Sequence, residues 1–194
     1  MKLYCASASP YVRKVMVMAK ETGLYDQLQQ VTTALTPVAP DEALVGDNPL
    51  GKIPTLVLDD GTALYDSRVI CEYLDSLHKR KKKFPSRGEA RFKALALQAL
   101  GDGMLDAAVN TRYETFLRPE QYRWPDWISG QRKKFRRPLG VLEARAEDLE
   151  GPLSIGTITI GCALGYRDFC YGDDPWGNTH PRLAAWFKKF ERRR

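Results

Sequence analysis

The stretch NPLGKIPTLVLDDGTALYDSRVICEYL, Asn48 to Leu74, decides the fold. Two apolar runs flank the turn residues Asp59, Asp60 and Gly61, which reads as a β-hairpin. Beyond it, Val69, Ile70, Tyr73, Leu74 and Leu77 recur at helical spacing, so a helix starts near Asp66-Ser67 with one apolar face. A strand, a turn and a polar pair at a helix mouth make a place to hold an anion. The first N–H groups of a helix lack partners, and its dipole is positive there. Without a ligand, the same pair is a helix cap.

Before this stretch, KLYC at the start of the chain reads as a strand. Pro10 suits the first position of a helix, with Ser9 as its N-cap and Gly23 as its end. Val12, Val15, Met16 and Ala19 form its apolar stripe. QLQQVTTA is a second strand, followed by a Pro- and Gly-rich loop with room for one helical turn. After the stretch, a basic run and FPSRG read as a linker over 80–88. From Glu89 the pattern is helical almost throughout. A long helix runs to Leu117, and a second carries Pro138, which is expected to kink or divide it. A strongly apolar helix starts after Ser154, and an amphipathic one starts at His180. A small α/β domain over 1–79 and an all-helical domain over 89–194 follow.

A chain of 194 residues suits one large domain or two small ones. The net charge of +6 comes largely from three blocks: Arg80 to Lys83, Arg132 to Arg137, and the final ERRR. Such blocks are usually solvated faces or linkers, so no nucleic acid is expected as a partner. No apolar run approaches the roughly 18 residues that span a bilayer, and the N-terminus lacks the pattern of a signal peptide. Cys5, Cys71, Cys162 and Cys170 form no CxxC pair and have no histidine at ligand spacing, so no metal is expected. The expectation is a cytoplasmic protein with free thiols and no membrane contact.

With these pieces placed, the chain resembles the cytosolic glutathione S-transferase family, and specifically its bacterial, serine-type members. The likeness covers nearly the whole length. It rests on SPYVRKV, on NPLGKIPTLVLDDGTALYDSRVICEYLD, on LSIGTITIGCALGYRDF and on HPRLAAWFKKF, in that order. The resemblance implies a thioredoxin-like N-terminal domain (βαβ-ββα) followed by a C-terminal helical bundle. It implies glutathione as co-substrate, no permanently bound cofactor, a small hydrophobic electrophile as second substrate, and a homodimer. ARFKALALQ and the helix from Asp66 to Tyr73 would lie near the subunit interface.

Residue by residue, the resemblance implies a cis bond before Pro54. That bond frees the N–H and C=O of Ile53 to pair with the cysteinyl backbone of glutathione. Ser67 would take the γ-glutamyl carboxylate, Asp66 the ammonium group, and Lys52 the glycyl carboxylate, unless Lys52 is simply solvated. Ser9 would donate a hydrogen bond to the glutathione thiolate, with Ser7 as rival and Tyr4, Cys5 and Tyr11 as further alternatives. Arg13 has a structural role. Tyr11, Met104, Asn110, Tyr113 and Tyr166 would wall the electrophile site. One departure stands out: Thr157 replaces the acid usual three residues after Ser154, which predicts a weaker helix start. Two other readings stay open. One is a glutathione-binding or regulatory protein that has lost turnover. The other is a polyanion-binding protein using the basic patches, whose binding would depend steeply on salt.

Overall fold

The structure is a computed structural model, described here for residues 1–172 and 175–193. Arg194, the last of the terminal basic block, lies outside the described residues. The chain forms two compact units, Met1–Ser86 and Arg87–Arg194.

The first unit is a four-stranded mixed sheet with helices. Its strands are β1 (Lys2–Cys5), β2 (Gln29–Thr32), β3 (Thr55–Val57) and β4 (Ala63–Leu64), in spatial order β2-β1-β3-β4. β1 runs parallel to β2 and antiparallel to β3, with Tyr4 opposite Thr55 and Leu3 opposite Leu56. The β3–β4 hairpin closes where expected: the Leu58 N–H donates to the Thr62 carbonyl at 2.9 Å, and Gly61 takes a φ of 86°. Side-chain alternation puts Leu3 and Leu56, both fully buried, on one face of the sheet. Tyr4 and Val57 lie on the other face, packed with Leu44 of the short helix α2 (Glu42–Asp47).

Helix α1 (Pro10–Thr22) packs against α3 (Ser67–Ser76). α1 ends at Gly23, whose φ of 77° lets its N–H reach back to the carbonyls of Ala19 and Lys20. Its stripe is rotated slightly from expectation. Val12, Val15, Met18 and Ala19 are buried, as is Lys14, while Met16 is half-buried. In α3 the difference is larger. Ile70, Cys71 and Leu74 are fully buried, but Val69 and Leu77 are 47% and 46% exposed. The inward face instead carries Asp75, which is polar and invisible to a hydrophobic pattern.

Asp75 organises the end of this unit. One of its carboxylate oxygens accepts the Lys83 N–H at 2.8 Å and the other accepts the Phe84 N–H at 3.1 Å, while His78 Nε2 sits 3.0 Å away. Lys82 donates to the carbonyls of Asp75 and His78, and Lys83 pairs with Glu21 at 3.0 Å. The segment read as a linker is thus tied into the first unit by its own basic residues.

The second unit is helical: α4 (Gly88–Arg112), α5 (Pro125–Ala144), α6 (Ile155–Cys170) and α7 (Pro181–Glu191). α4 continues into a wider, π-type turn at Tyr113–Leu117. Pro138 lies inside α5 without dividing it. α6 is enclosed, with every residue from Ile155 to Arg167 buried. Gly101 and Gly156 permit close approach of α4 and α6: a Cβ on Gly156 would stand 2.6 Å from the Ala94 carbonyl oxygen. The start of α6 is better capped than the sequence suggested. The Ser154 N–H donates to Thr157 Oγ1 at 2.9 Å, and the Thr157 N–H donates to Ser154 Oγ at 3.3 Å, so threonine completes the reciprocal box. No helix among the described residues is long and apolar enough to cross a membrane.

Candidate active site

Three loops meet at one end of the sheet. β1 ends at Cys5 and leads to Ser9; β3 starts at Thr55, just after Ile53-Pro54; β4 ends at Leu64 and leads to Asp66-Ser67. Because β3 is antiparallel to both β1 and β4, the end of β1, the start of β3 and the end of β4 share that edge. Ser9, Ile53, Pro54, Asp66 and Ser67 are therefore neighbours in the topology, although far apart in sequence.

The Ile53–Pro54 peptide is cis, as the resemblance implies, and so is Tyr65–Asp66. The Ile53 side chain packs on Tyr4, Leu44 and Val57. Its backbone lies beyond the sheet register, which ends at the Tyr4–Thr55 pair. Two residues that the sequence reading passed over hold this step. Asn48, 1% exposed, donates through Nδ2 to the Lys52 carbonyl at 3.1 Å and to Thr55 Oγ1 at 2.8 Å. Thr55 in turn donates to the Lys52 carbonyl at 2.8 Å, and the Leu50 N–H donates to Asn48 Oδ1 at 3.0 Å. The available signal was an Asn before Pro in a Gly-containing loop, a residue type that binds nearby backbone. The Lys52 side chain is exposed.

At α3, Asp66 is exposed and accepts the Arg68 N–H at 2.8 Å. Ser67 is buried, 2% exposed, and is the first residue of the helix, so its N–H has no acceptor within the helix. At α1, Ser9 is half-buried and its Oγ accepts the Val12 N–H at 3.3 Å. Ser7 is exposed and Tyr11 half-buried. Cys5 is buried, and that burial pushes its thiol pKa up; its Sγ donates to the Val31 carbonyl at 3.6 Å. Tyr4 donates to Asp47 at 2.8 Å, and Lys2 reaches both Asp47 at 2.8 Å and the Tyr4 oxygen at 2.9 Å. Tyr4 is thereby committed to fastening α2.

The residues expected to wall the electrophile site are dispersed. Met104 and Tyr166 are enclosed at 1% and 6% exposure, Tyr113 is 38% exposed and Asn110 is exposed. All four lie in the second unit, and Tyr11 lies in the first. Burial, and then a hydrogen bond with Cys170, push the Tyr166 phenol pKa up, so it stays protonated.

Comparison with known proteins follows the same lines. Residues 8–77 match the family model of the glutathione S-transferase N-terminal domain. The uncharacterised GST-like protein YibF of Escherichia coli K12 is 31% identical over 189 residues, covering 95% of this chain and 90% of YibF. A glutathione transferase family member from Pseudomonas fluorescens Pf-5, solved with bound glutathione, is 50% identical with a TM-score of 0.97, over 99% of this chain and 94% of that one. A glutathione S-transferase from Methylobacillus flagellatus KT, also with glutathione bound, is 35% identical with a TM-score of 0.86, over 99% and 95%.

Proposed function

Because the chain belongs to the glutathione S-transferase family, we propose that it binds glutathione at this end of the sheet and directs the thiolate onto small hydrophobic electrophiles or hydroperoxides. The Ile53 backbone pairs with the cysteinyl backbone as an added strand would. The Ser67 N–H and hydroxyl, at the positive end of α3, take the γ-glutamyl carboxylate. Asp66 keeps one carboxylate oxygen for the ammonium group, since Oδ1 already serves Arg68. Lys52 lies exposed for the glycyl carboxylate. Glutathione is consumed as co-substrate, with no permanently bound cofactor.

The observation that carries the reading is how Ser9 caps α1. A hydroxyl has one proton and two lone pairs. The cap from Val12 uses a lone pair, so the proton stays available to the sulfur of glutathione. A hydrogen bond to the thiolate, backed by the α1 dipole, lowers the thiol pKa and makes nucleophile available near neutral pH. With a carbon electrophile, the sulfur–carbon bond forms as the leaving group departs; with a hydroperoxide, the sulfur takes the terminal oxygen as the O–O bond breaks and the alcohol leaves, and a second glutathione converts the resulting sulfenic acid to the disulfide and water. Ser9 donates a hydrogen bond and forms no bond to substrate. Cys5, buried and held protonated, is poorly suited to a mixed-disulfide route.

The same family reading pairs two copies of the chain. Val69 on α3 and Phe92 on α4, 47% and 71% exposed, are apolar side chains on the segments assigned to that interface. Four free thiols suit a reducing cytoplasm.

The test is retention on immobilised glutathione, followed by assay of the native protein and Ser9→Ala with an aryl halide and a hydroperoxide. Retention with turnover that collapses in the variant supports the transferase. Retention with no turnover on any electrophile makes the protein a glutathione binder without chemistry. Failure to bind glutathione rules out the roles given to Ile53, Asp66 and Ser67.

A further inference from the structure

The connection from Tyr113 to Trp124, between α4 and α5, is longer than the roughly 2–8 residues usual between bundle helices. It is held in one shape by its own side chains. Glu114 stands at its centre with a side chain only 8% exposed. Its Oε2 accepts the Arg118 Nε–H at 2.7 Å, and its Oε1 accepts the Trp124 N–H at 3.0 Å. The Arg123 Nε–H donates to the Arg118 carbonyl at 3.1 Å, and the Tyr122 N–H donates to the Pro119 carbonyl at 2.9 Å. A loop tied down this way still leaves its aromatics outside. Phe116, Tyr122 and Trp124 are 73%, 67% and 62% exposed. The Arg112 guanidinium lies 4.5 Å from the centre of the Phe116 ring and covers one of its faces. Three large aromatic side chains left in water within one short segment mark an interaction surface.

The surface beside this loop is cationic and hollow. Thr115 and Pro125 line a hollow of about 400 Å³ together with Ile128, Arg132, Lys133 and Arg136 of α5. Phe116 and Trp124 are the chain neighbours of Thr115 and Pro125, so they flank its mouth. Among the described residues, its lining contains no carboxylate. Arg132 and Arg136 also border a smaller pocket of about 270 Å³ beside Ala107, Ala108 and Tyr171, so the basic face is grooved and not flat. From Arg112 to Arg137 the chain carries eight arginines and lysines and three carboxylates, one of which is the enclosed Glu114. Most of the chain's net charge of +6 therefore resides here. By its charge alone this block reads as a solvated face. Cations interleaved with exposed aromatics around a hollow read otherwise.

The complementary partner offers negative charges at intervals with flat faces between them. A single strand of nucleic acid has both: its phosphates meet cations, and its bases stack on aromatic rings. Arginine serves in both ways, forking phosphate oxygens and lying flat on a ring. A duplex hides its base faces in its own stack, and a lipid surface cannot follow a groove. DNA is ordinarily paired, whereas RNA presents unstacked bases in loops and ends. We propose that this surface binds single-stranded RNA, with phosphates on Arg132, Lys133 and Arg136 and bases stacked on Phe116 and Trp124. Two rings and the arginine planes match about four nucleotides, the lower end of usual site sizes. The site lies wholly in the second unit and does not depend on the glutathione reading.

The experiment uses the full chain and the fluorescence anisotropy of a labelled oligo-uridine of about 15 nucleotides, within the usual range of site sizes. Binding is expected, with log K falling against log salt at a slope of about −2, as three phosphate contacts on a single strand require. Double-stranded RNA of the same length should bind about tenfold or more weakly, since its bases cannot reach the rings. Phe116→Ala and Trp124→Ala should each weaken oligo-uridine binding about 5- to 100-fold, the worth of one stacked base, with the salt slope unchanged. Lys133→Gln should weaken binding and make the slope shallower by about 0.7. All three side chains are exposed, so folding should survive each change. The proposal is overturned by any of four results: no binding of oligo-uridine, equal binding of the duplex, unchanged affinity in both aromatic variants, or an unchanged slope in Lys133→Gln. Tighter binding of oligo-deoxythymidine would reassign the surface to DNA, and phosphatidylserine vesicles that displace oligo-uridine would reassign it to a lipid surface; either overturns the proposal.

Discussion

At the scale of the residue, the proposed function gives Ser9 two jobs with different atoms. Its oxygen caps α1, and its proton would serve the sulfur. Ser9→Ala should therefore lower turnover about 10- to 100-fold, the worth of a hydrogen bond to a charged group, while glutathione retention persists. The same change should cost about 1 kcal/mol of stability through the lost cap, read by denaturant unfolding. A variant that lost stability and kept its turnover would leave Ser9 as a cap alone. Asp47 gives a pH test. Lys2, and then Tyr4, hold its carboxyl below the ordinary range, and Asp47 likewise holds the Lys2 ammonium above its own. The carboxylate's contribution is present above the ordinary aspartate pKa and fades as pH falls through its lowered value; that of Lys2 fades only as pH rises past its raised value. Asp47→Asn should lower Tm near pH 7, and the deficit should shrink as pH drops below about 3. Ser9 was legible in the sequence because a cap before Pro is a local signal. The Lys2–Tyr4–Asp47 contact was not, since nothing local joins positions 45 residues apart.

At the scale of the element, two glycines on neighbouring helices should respond in opposite ways to the same methyl group. Gly156→Ala forces its Cβ against the Ala94 carbonyl and Leu97, and should destabilise by about 2 kcal/mol as α4 and α6 part. Gly103→Ala on α4 meets nothing within 4 Å and should stabilise by about 0.5–1 kcal/mol through helix propensity and chain entropy. Thermal unfolding of the two variants reads both signs. Asp75→Ala should cost about 2–3 kcal/mol, because the part-buried N–H of Lys83 and the buried N–H of Phe84 lose their acceptor. Helix positions and ends followed from periodicity, Pro10 and Gly23. The inward face of α3 did not, because the pattern counts Val69 and Leu77 as core and cannot count Asp75. Its burial becomes favourable only once residues 83 and 84 fold back onto it.

At the scale of the whole molecule, pairing is the expectation most open to measurement. Phe92→Glu should shift the sedimenting species from dimer to monomer, and a native protein that sediments as a monomer would remove the pairing. The division into a small α/β unit and a helical unit was legible, because strand alternation gives way to helical spacing within a few residues. The concave surface beside α5 was not. RKKFRR reads as a solvated face in one dimension, and it becomes concave only when Ala107, Ala108 and Tyr171 are brought beside it. The enclosure of α6 has a further consequence. Thirteen successive buried residues shield their amides from deuterium arriving by local routes. Isotope exchange in the middle of α6 should then proceed mainly when the second unit opens as a whole. Its slowest amides are an internal gauge of that unit's stability, readable in the native protein without denaturant.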